Sequence, residues 1–150
     1  MRDTILKNEL WDLVRVTSMN MEAAYKPIVE SHGLTMMQSR ILIAVAECEH
    51  VNVGTVSGVL EISSGNASNM CKRLEKEGFI IRIRSLNDER IVELKLTDKG
   101  KFTKDKICDD INKKFKPILD NKSKEDFDAI VFGIKKLNEL LNDLAKEIKN

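Results

Sequence analysis

Phe79-Ile80-Ile81-Arg82-Ile83-Arg84, then Ser85-Leu86-Asn87-Asp88-Glu89-Arg90, then Ile91-Val92-Glu93-Leu94-Lys95-Leu96-Thr97-Asp98-Lys99-Gly100, is the stretch that decides how this chain folds. Its flanks alternate every second residue, which is the period of a strand. Ile81 and Ile83 oppose Arg82 and Arg84; Val92, Leu94 and Leu96 oppose Ile91, Glu93 and Lys95. Two such runs around the polar turn Ser85–Arg90 predict a β-hairpin. Thr97 then stands where a helix N-cap belongs, and a helix is expected from about Asp98 to Leu119, with Ile107, Ile111, Phe115 and Ile118 on one face and Pro117 bending or ending it.

Upstream of the hairpin the period is helical. Val53 to Leu60 reads as a short helix, and Ser63 or Ser64 caps a second that runs to Glu77 with Gly78 as its terminating glycine. Ala67, Met70, Cys71 and Leu74 form the inner stripe of this second helix. Gly65, Asn66, Ser68, Asn69, Lys72 and Arg73 form the outer one. Two short helices joined by Glu61-Ile62-Ser63 make a helix-turn-helix, and a hairpin directly after it is a wing. Further upstream, Thr35-Met36-Met37-Gln38 is a capping box that opens a helix burying Ile41, Leu42, Val45 and Ala46 and ending near Cys48-Glu49.

A long first helix is expected from about Asp3 to Ser31, with a kink or an end near Tyr25 or Lys26 because of Pro27, and with His32-Gly33 at its exit. At the other end, Ser123-Lys124-Glu125-Asp126 is a cap signature. Phe127, Ile130, Ile134, Leu137, Leu141, Leu144 and Ile148 follow at alternating steps of three and four, a heptad stripe suited to a dimer interface. The fold class is therefore mainly α with a small β-hairpin wing.

Composition narrows the function. The 150 residues suit a single domain; 42% are hydrophobic and 33% charged, as in a globular protein. No apolar run is long enough to span a membrane, and the N-terminus lacks a signal-peptide stretch, so a cytoplasmic location is expected. Cys48, Cys71 and Cys108 are widely spaced and odd in number, which is no disulfide framework. With only His32 and His50 beside them, a zinc site has little to be built from. No nucleophile–base pair, phosphate loop or ligand cluster stands out, so neither an enzyme nor a cofactor is expected. The net charge is only +1, yet Ser63–Lys104 carries ten basic and six acidic residues, a modestly basic middle on an acidic frame.

The order of elements and the residues together resemble the MarR (multiple antibiotic resistance regulator) family over nearly the whole chain. Asp88-Glu89-Arg90, an alternating strand and Leu96-Thr97-Asp98-Lys99-Gly100 match its wing signature. Leu34-Thr35-Met36-Met37-Gln38 matches the start of its second helix, and Leu74-Glu75-Lys76-Glu77-Gly78-Phe79-Ile80 the exit of its recognition helix. The resemblance implies one domain, with a winged helix-turn-helix over about 34–97 and dimerisation helices over about 3–31 and 98–149. It also implies a homodimer on a pseudo-palindromic operator, acting as a repressor (less often an activator) relieved by a small effector or by oxidation.

Under that reading Ser64, Gly65, Asn66, Ser68, Asn69, Lys72 and Arg73 face DNA. Asn suits adenine, Ser several bases, and Lys72 and Arg73 suit phosphate or guanine. Many relatives carry Arg at position 69, where this chain has Asn, so base preference does not carry over. Arg90 at the wing tip fits a narrow minor groove, with Asp88 restraining it; Arg84, with Arg82 beside it, adds phosphate contacts. Trp11, Met21 and Tyr25 on the first helix are candidate walls of a pocket for a small apolar or aromatic effector. No reactive cysteine lies in the first helix, where thiol-sensing relatives place one; Cys71 reads as a small core residue. The alternative is a dimer of the same fold that has lost DNA binding and senses a ligand or binds a protein.

Overall fold

The structure is a computed structural model that describes residues 9–84 and 92–149. Its elements are α1 (Leu10–Ser31), α2 (Met36–Glu47), α3 (Val53–Leu60), α4 (Ser64–Lys76), β1 (Ile80–Arg84), β2 (Val92–Leu96), α5 (Asp98–Leu119) and α6 (Lys124–Lys149). The chain divides into two compact units, Met1–Ile111 and Asn112–Asn150.

Local chemistry sets the boundaries in the first unit. Thr35 and Gln38 form the expected capping box at α2, the Gln38 amide donating to Thr35 Oγ1 at 3.2 Å and the Thr35 amide to Gln38 Oε1 at 2.9 Å. A second box starts α3, where Asn52 and Thr55 exchange the same pair of bonds. Ser63, rather than Ser64, caps α4. Gly78 follows at φ +79, a conformation that costs a residue with a Cβ.

Pro27 does not end α1, which runs through it to Ser31, where the helix is expected to stop. A proline forfeits one backbone bond. Here the turn that follows is held by burial of Ile28 and Val29, and by a hydrogen bond of 2.8 Å between His32 Nε2 and Asp110 Oδ2. The expected start at Asp3 lies outside the described residues. Pro117 lies inside α5, which ends two residues later at Leu119, as expected.

The hairpin is antiparallel, with Ile80 opposite Leu96, Arg82 opposite Leu94 and Arg84 opposite Val92. Residues directly opposite share a face. The core face is therefore the one that bears the arginines, because Ile80 and Leu94 on it are fully buried while Ile81 on the other is 46% exposed. Glu93, on the other face, is also buried. The carboxylate is kept there by His50, whose Nδ1 lies 3.0 Å from Glu93 Oε1. The Leu94 amide donates to the Val51 carbonyl at 2.7 Å, tying the segment before α3 to the wing. The core joins Val29 of α1, Ile41 and Leu42 of α2, Val56 of α3, Leu74 of α4 and Ile107 of α5.

In the second unit, Ser123 caps α6: the Asp126 amide donates to Ser123 Oγ at 3.0 Å. Along α6 the heptad residues Ile130, Ile134, Leu141, Leu144 and Ile148 are all exposed in the single chain.

Candidate nucleic-acid interface

The helix-turn-helix is α3 and α4. Its turn is drawn tight by Glu61 in the left-handed region (φ 53), by the Ile62 amide on the Ser57 carbonyl at 3.1 Å, and by Ser57 Oγ donating to the Ile62 carbonyl at 2.7 Å. Below it, Ala67, Cys71 and Leu74 of α4 have no exposure, and Met70 packs half-buried against the same core. This fixes the rotation of α4. Ser64, Gly65, Asn66, Asn69, Lys72 and Arg73 are exposed as expected, and Ser68 is half-buried. Arg73 Nε donates to Glu77 Oε1 at 2.9 Å, an exposed pair one turn apart that costs little to exchange for another partner.

Thr97 ties the wing to the exit of α4. Thr97 Oγ1 donates to the Gly78 carbonyl at 2.7 Å and accepts from the Gly100 amide at 3.0 Å, while the Thr97 amide donates to the Phe79 carbonyl at 3.1 Å. Gly100 is needed because a Cβ there would lie 2.0 Å from the Phe79 oxygen. The Leu-Thr-x-x-Gly run is thus a close-packing joint as well as a cap, which its spacing alone does not reveal. Arg84, at the end of β1, is exposed. Asp88 and Arg90 lie outside the described residues.

Two hollows flank the wing. One, of about 440 Å3, is walled by the exit of α2, by β2 and by α5, with Cys48, His50, Glu93, Lys101 and Lys104 among its residues. The other, of about 640 Å3, is an open groove between the start of α3 and the hairpin, lined by Asn52, Val53, Gly54, Arg82, Ile83, Arg84 and Val92. Trp11, Met21 and Tyr25 line neither; Trp11 is 73% and Met21 60% exposed, and Tyr25 is half-buried. Among the described residues, no three His, Cys, Asp or Glu side chains gather as metal ligands do, and no helix is long and apolar enough to cross a membrane. Burial pushes the Cys71 thiol above its ordinary value; nearby Arg82 opposes the shift and Glu75 adds to it. A thiol so placed is a core group rather than a nucleophile.

Sequence reasoning missed the carboxylate partners of His50 and Arg82. Arg82 Nε lies 3.3 Å from Glu75 Oε2 on α4. The face that turns Arg82 inward was not readable from a run that puts Ile on both faces, Ile80 on one and Ile81 and Ile83 on the other.

Comparison with known proteins agrees with this geometry. The family described as transcriptional regulator SarA/Rot matches residues 23–107. The organic hydroperoxide resistance transcriptional regulator of Bacillus subtilis (strain 168) is 36% identical over 104 residues, covering 69% of this chain and 71% of that protein. Among solved structures, a MarR family transcription regulator superposes with a TM-score of 0.82 at 21% identity, covering 98% of this chain and 99% of that one. The Staphylococcus aureus MepR–DNA complex does so with a TM-score of 0.74 at 18% identity, covering 86% and 94%.

Proposed function

Because the chain belongs to the SarA/Rot family of transcriptional regulators, we propose that it binds operator DNA as a homodimer, repressing transcription until a small effector releases it. The observation that carries this is the amphipathic cut of α4. Of its apolar stripe Ala67, Cys71 and Leu74 are fully buried and Met70 half-buried, and its opposite face is a row of exposed Asn, Ser, Lys and Arg beside a wing. A second helix so presented enters the major groove while the first crosses the backbone.

In this reading Asn66, Ser68 and Asn69 read bases, Lys72 and Arg73 clasp phosphate or a guanine, and Ser64, Gly65 and Arg84 lie against the backbone. Arg90, restrained by Asp88, enters the minor groove. The action is one of binding and not of catalysis, in the cytoplasm. The exposed apolar stripe of α6 supports a dimer, which would set two recognition helices about 10 bp apart on a pseudo-palindrome. A small apolar or aromatic effector would act by preferring a dimer whose helices no longer match that spacing; Trp11, Met21 and Tyr25 are candidates to meet it. The MepR complex, whose fold this chain shares, shows that fold on DNA.

A gel-shift titration with promoter-region DNA tests the proposal. Sequence-preferring binding that weakens steeply with salt is expected. Dimers that bind no DNA even at low salt would sink it and favour a protein-binding or ligand-sensing role.

A further inference from the structure

The groove between the start of α3 and the hairpin contains an unusual guanidinium. Arg82 stands on the core face of β1, opposite the buried Leu94, and its Nε and Nη2 are buried with no hydrogen-bond partner among the described residues. Glu75 Oε2 lies 3.3 Å from Nε, close enough to pair charges but not aligned to accept a hydrogen bond. Leaving N–H groups of a charged side chain both buried and unmade is costly, and a folded protein keeps such a group where something else completes it. Arg82 also lines the groove, with Arg84 beside it and the first turn of α3 as the facing wall. Glu75 is only part-buried and sits near the end of the recognition helix, so its carboxylate has room to swing away.

We propose that this groove seats a backbone phosphate of the bound DNA, and that Glu75 competes with that phosphate for Arg82. The inference rests on the DNA-binding reading and deepens it. The first helix of a helix-turn-helix crosses the DNA backbone, and the groove opens beside the first turn of that helix. A phosphate supplies two acceptor oxygens in the plane of a guanidinium fork, which the misaligned Glu75 does not. Exchange of partner also couples the two reading elements. While Arg82 is held by Glu75 the wing is tied to α4; once the phosphate takes it, wing and helix are both tied to the DNA.

The test is a double-mutant cycle read by DNA affinity across salt. Arg82→Gln is expected to weaken binding and to flatten the slope of log K against log salt by about 0.9, one phosphate. Glu75→Gln is expected to tighten binding several-fold in the wild-type background and to do nothing in the Arg82→Gln background. General repulsion between Glu75 and DNA would act equally in both, and that equality would overturn the proposal. So would an unchanged slope in Arg82→Gln. Should Arg82→Gln fail to fold, the Arg82 Nε–H resonance of the wild-type protein gives the same answer: it is expected to move on addition of DNA. A resonance that moves with inorganic phosphate but not with DNA would assign the groove to a free anion and overturn the proposal. Wild-type protein with no DNA affinity would sink this inference and the function together; salt-sensitive DNA binding with an additive cycle would sink the inference alone.

Discussion

Gly100→Ala puts the joint between recognition helix, wing and α5 under direct strain. An added Cβ would sit 2.0 Å from the Phe79 carbonyl oxygen and 3.0 Å from its carbon. Carbon–oxygen contacts settle at roughly 3.3 Å or more, so the first turn of α5 must retreat by over about 1 Å. That retreat stretches the Thr97 amide bond to Phe79 (3.1 Å) and the Thr97 hydroxyl bond to Gly78 (2.7 Å). The two together are worth about 2 kcal/mol, and forcing a methyl into a filled joint costs about 1–3 kcal/mol more. Against this, alanine in a helix gains about 1 kcal/mol over glycine. The expected net loss is about 2–4 kcal/mol, read as a fall in the urea midpoint at fixed protomer concentration, because dimerisation contributes to apparent stability. Gly58→Ala is the control. It lies inside α3 with nothing within 4 Å of the added Cβ, so it should hold or gain up to about 1 kcal/mol. A Gly100→Ala protein as stable as wild type would refute the close-packing account of the Leu-Thr-x-x-Gly run.

Three further outcomes are expected. The Cys71 thiol is raised by burial, so the folded protein keeps its proton where the unfolded chain, with an ordinary value near 9.0, has lost it. Stability should be full below pH 9.0 and fall as pH rises above it; urea unfolding of Cys71→Val should lose this contribution, and an identical alkaline decline in both proteins would contradict it. Thr97→Ala removes the cap and the tie to Gly78 and should cost about 1–2 kcal/mol in thermal or urea unfolding; no measurable loss would mean that the joint is held elsewhere. Ile134→Asp with Leu141→Asp on α6 should convert a sedimenting dimer to a monomer with much weakened DNA binding, since both residues are exposed in the single chain; a persisting dimer would place the interface on other residues.

The helices were legible because their signals are local. Thr35 with Gln38, Ser63, Thr97 and Ser123 each mark a start by a side chain that reaches only three residues on, and Gly78 marks an end by a conformation other residues avoid. The face of α4 was legible because its apolar residues fall at helical spacing. The hairpin was legible as a hairpin, but its inner face was not. Which of two alternating sets turns inward depends on what the strand packs against, and here the core takes Ile80 and Leu94, drawing Arg82 in with them. The burial of Glu93 on the opposite face was illegible for a different reason: His50, which meets it, is distant in sequence. At Pro27 the local rule left a kink or an end open, and the helix runs on to Ser31 with the next two residues buried.

In the proposed reading the labour is divided: Asn66, Ser68 and Asn69 of α4 distinguish bases, while Arg90 of the wing adds affinity without choosing among them. The most direct measurement is fluorescence anisotropy of wild type, Asn66→Ala and Arg90→Ala on an operator fragment and on the same fragment with single half-site bases replaced. Arg90→Ala is expected to weaken binding to all fragments by a similar factor. Asn66→Ala is expected to erase the penalty at one base position, a loss of about 1–3 kcal/mol of discrimination. If Asn66→Ala leaves every base preference intact, or Arg90→Ala changes preference but not affinity, the assignment is contradicted.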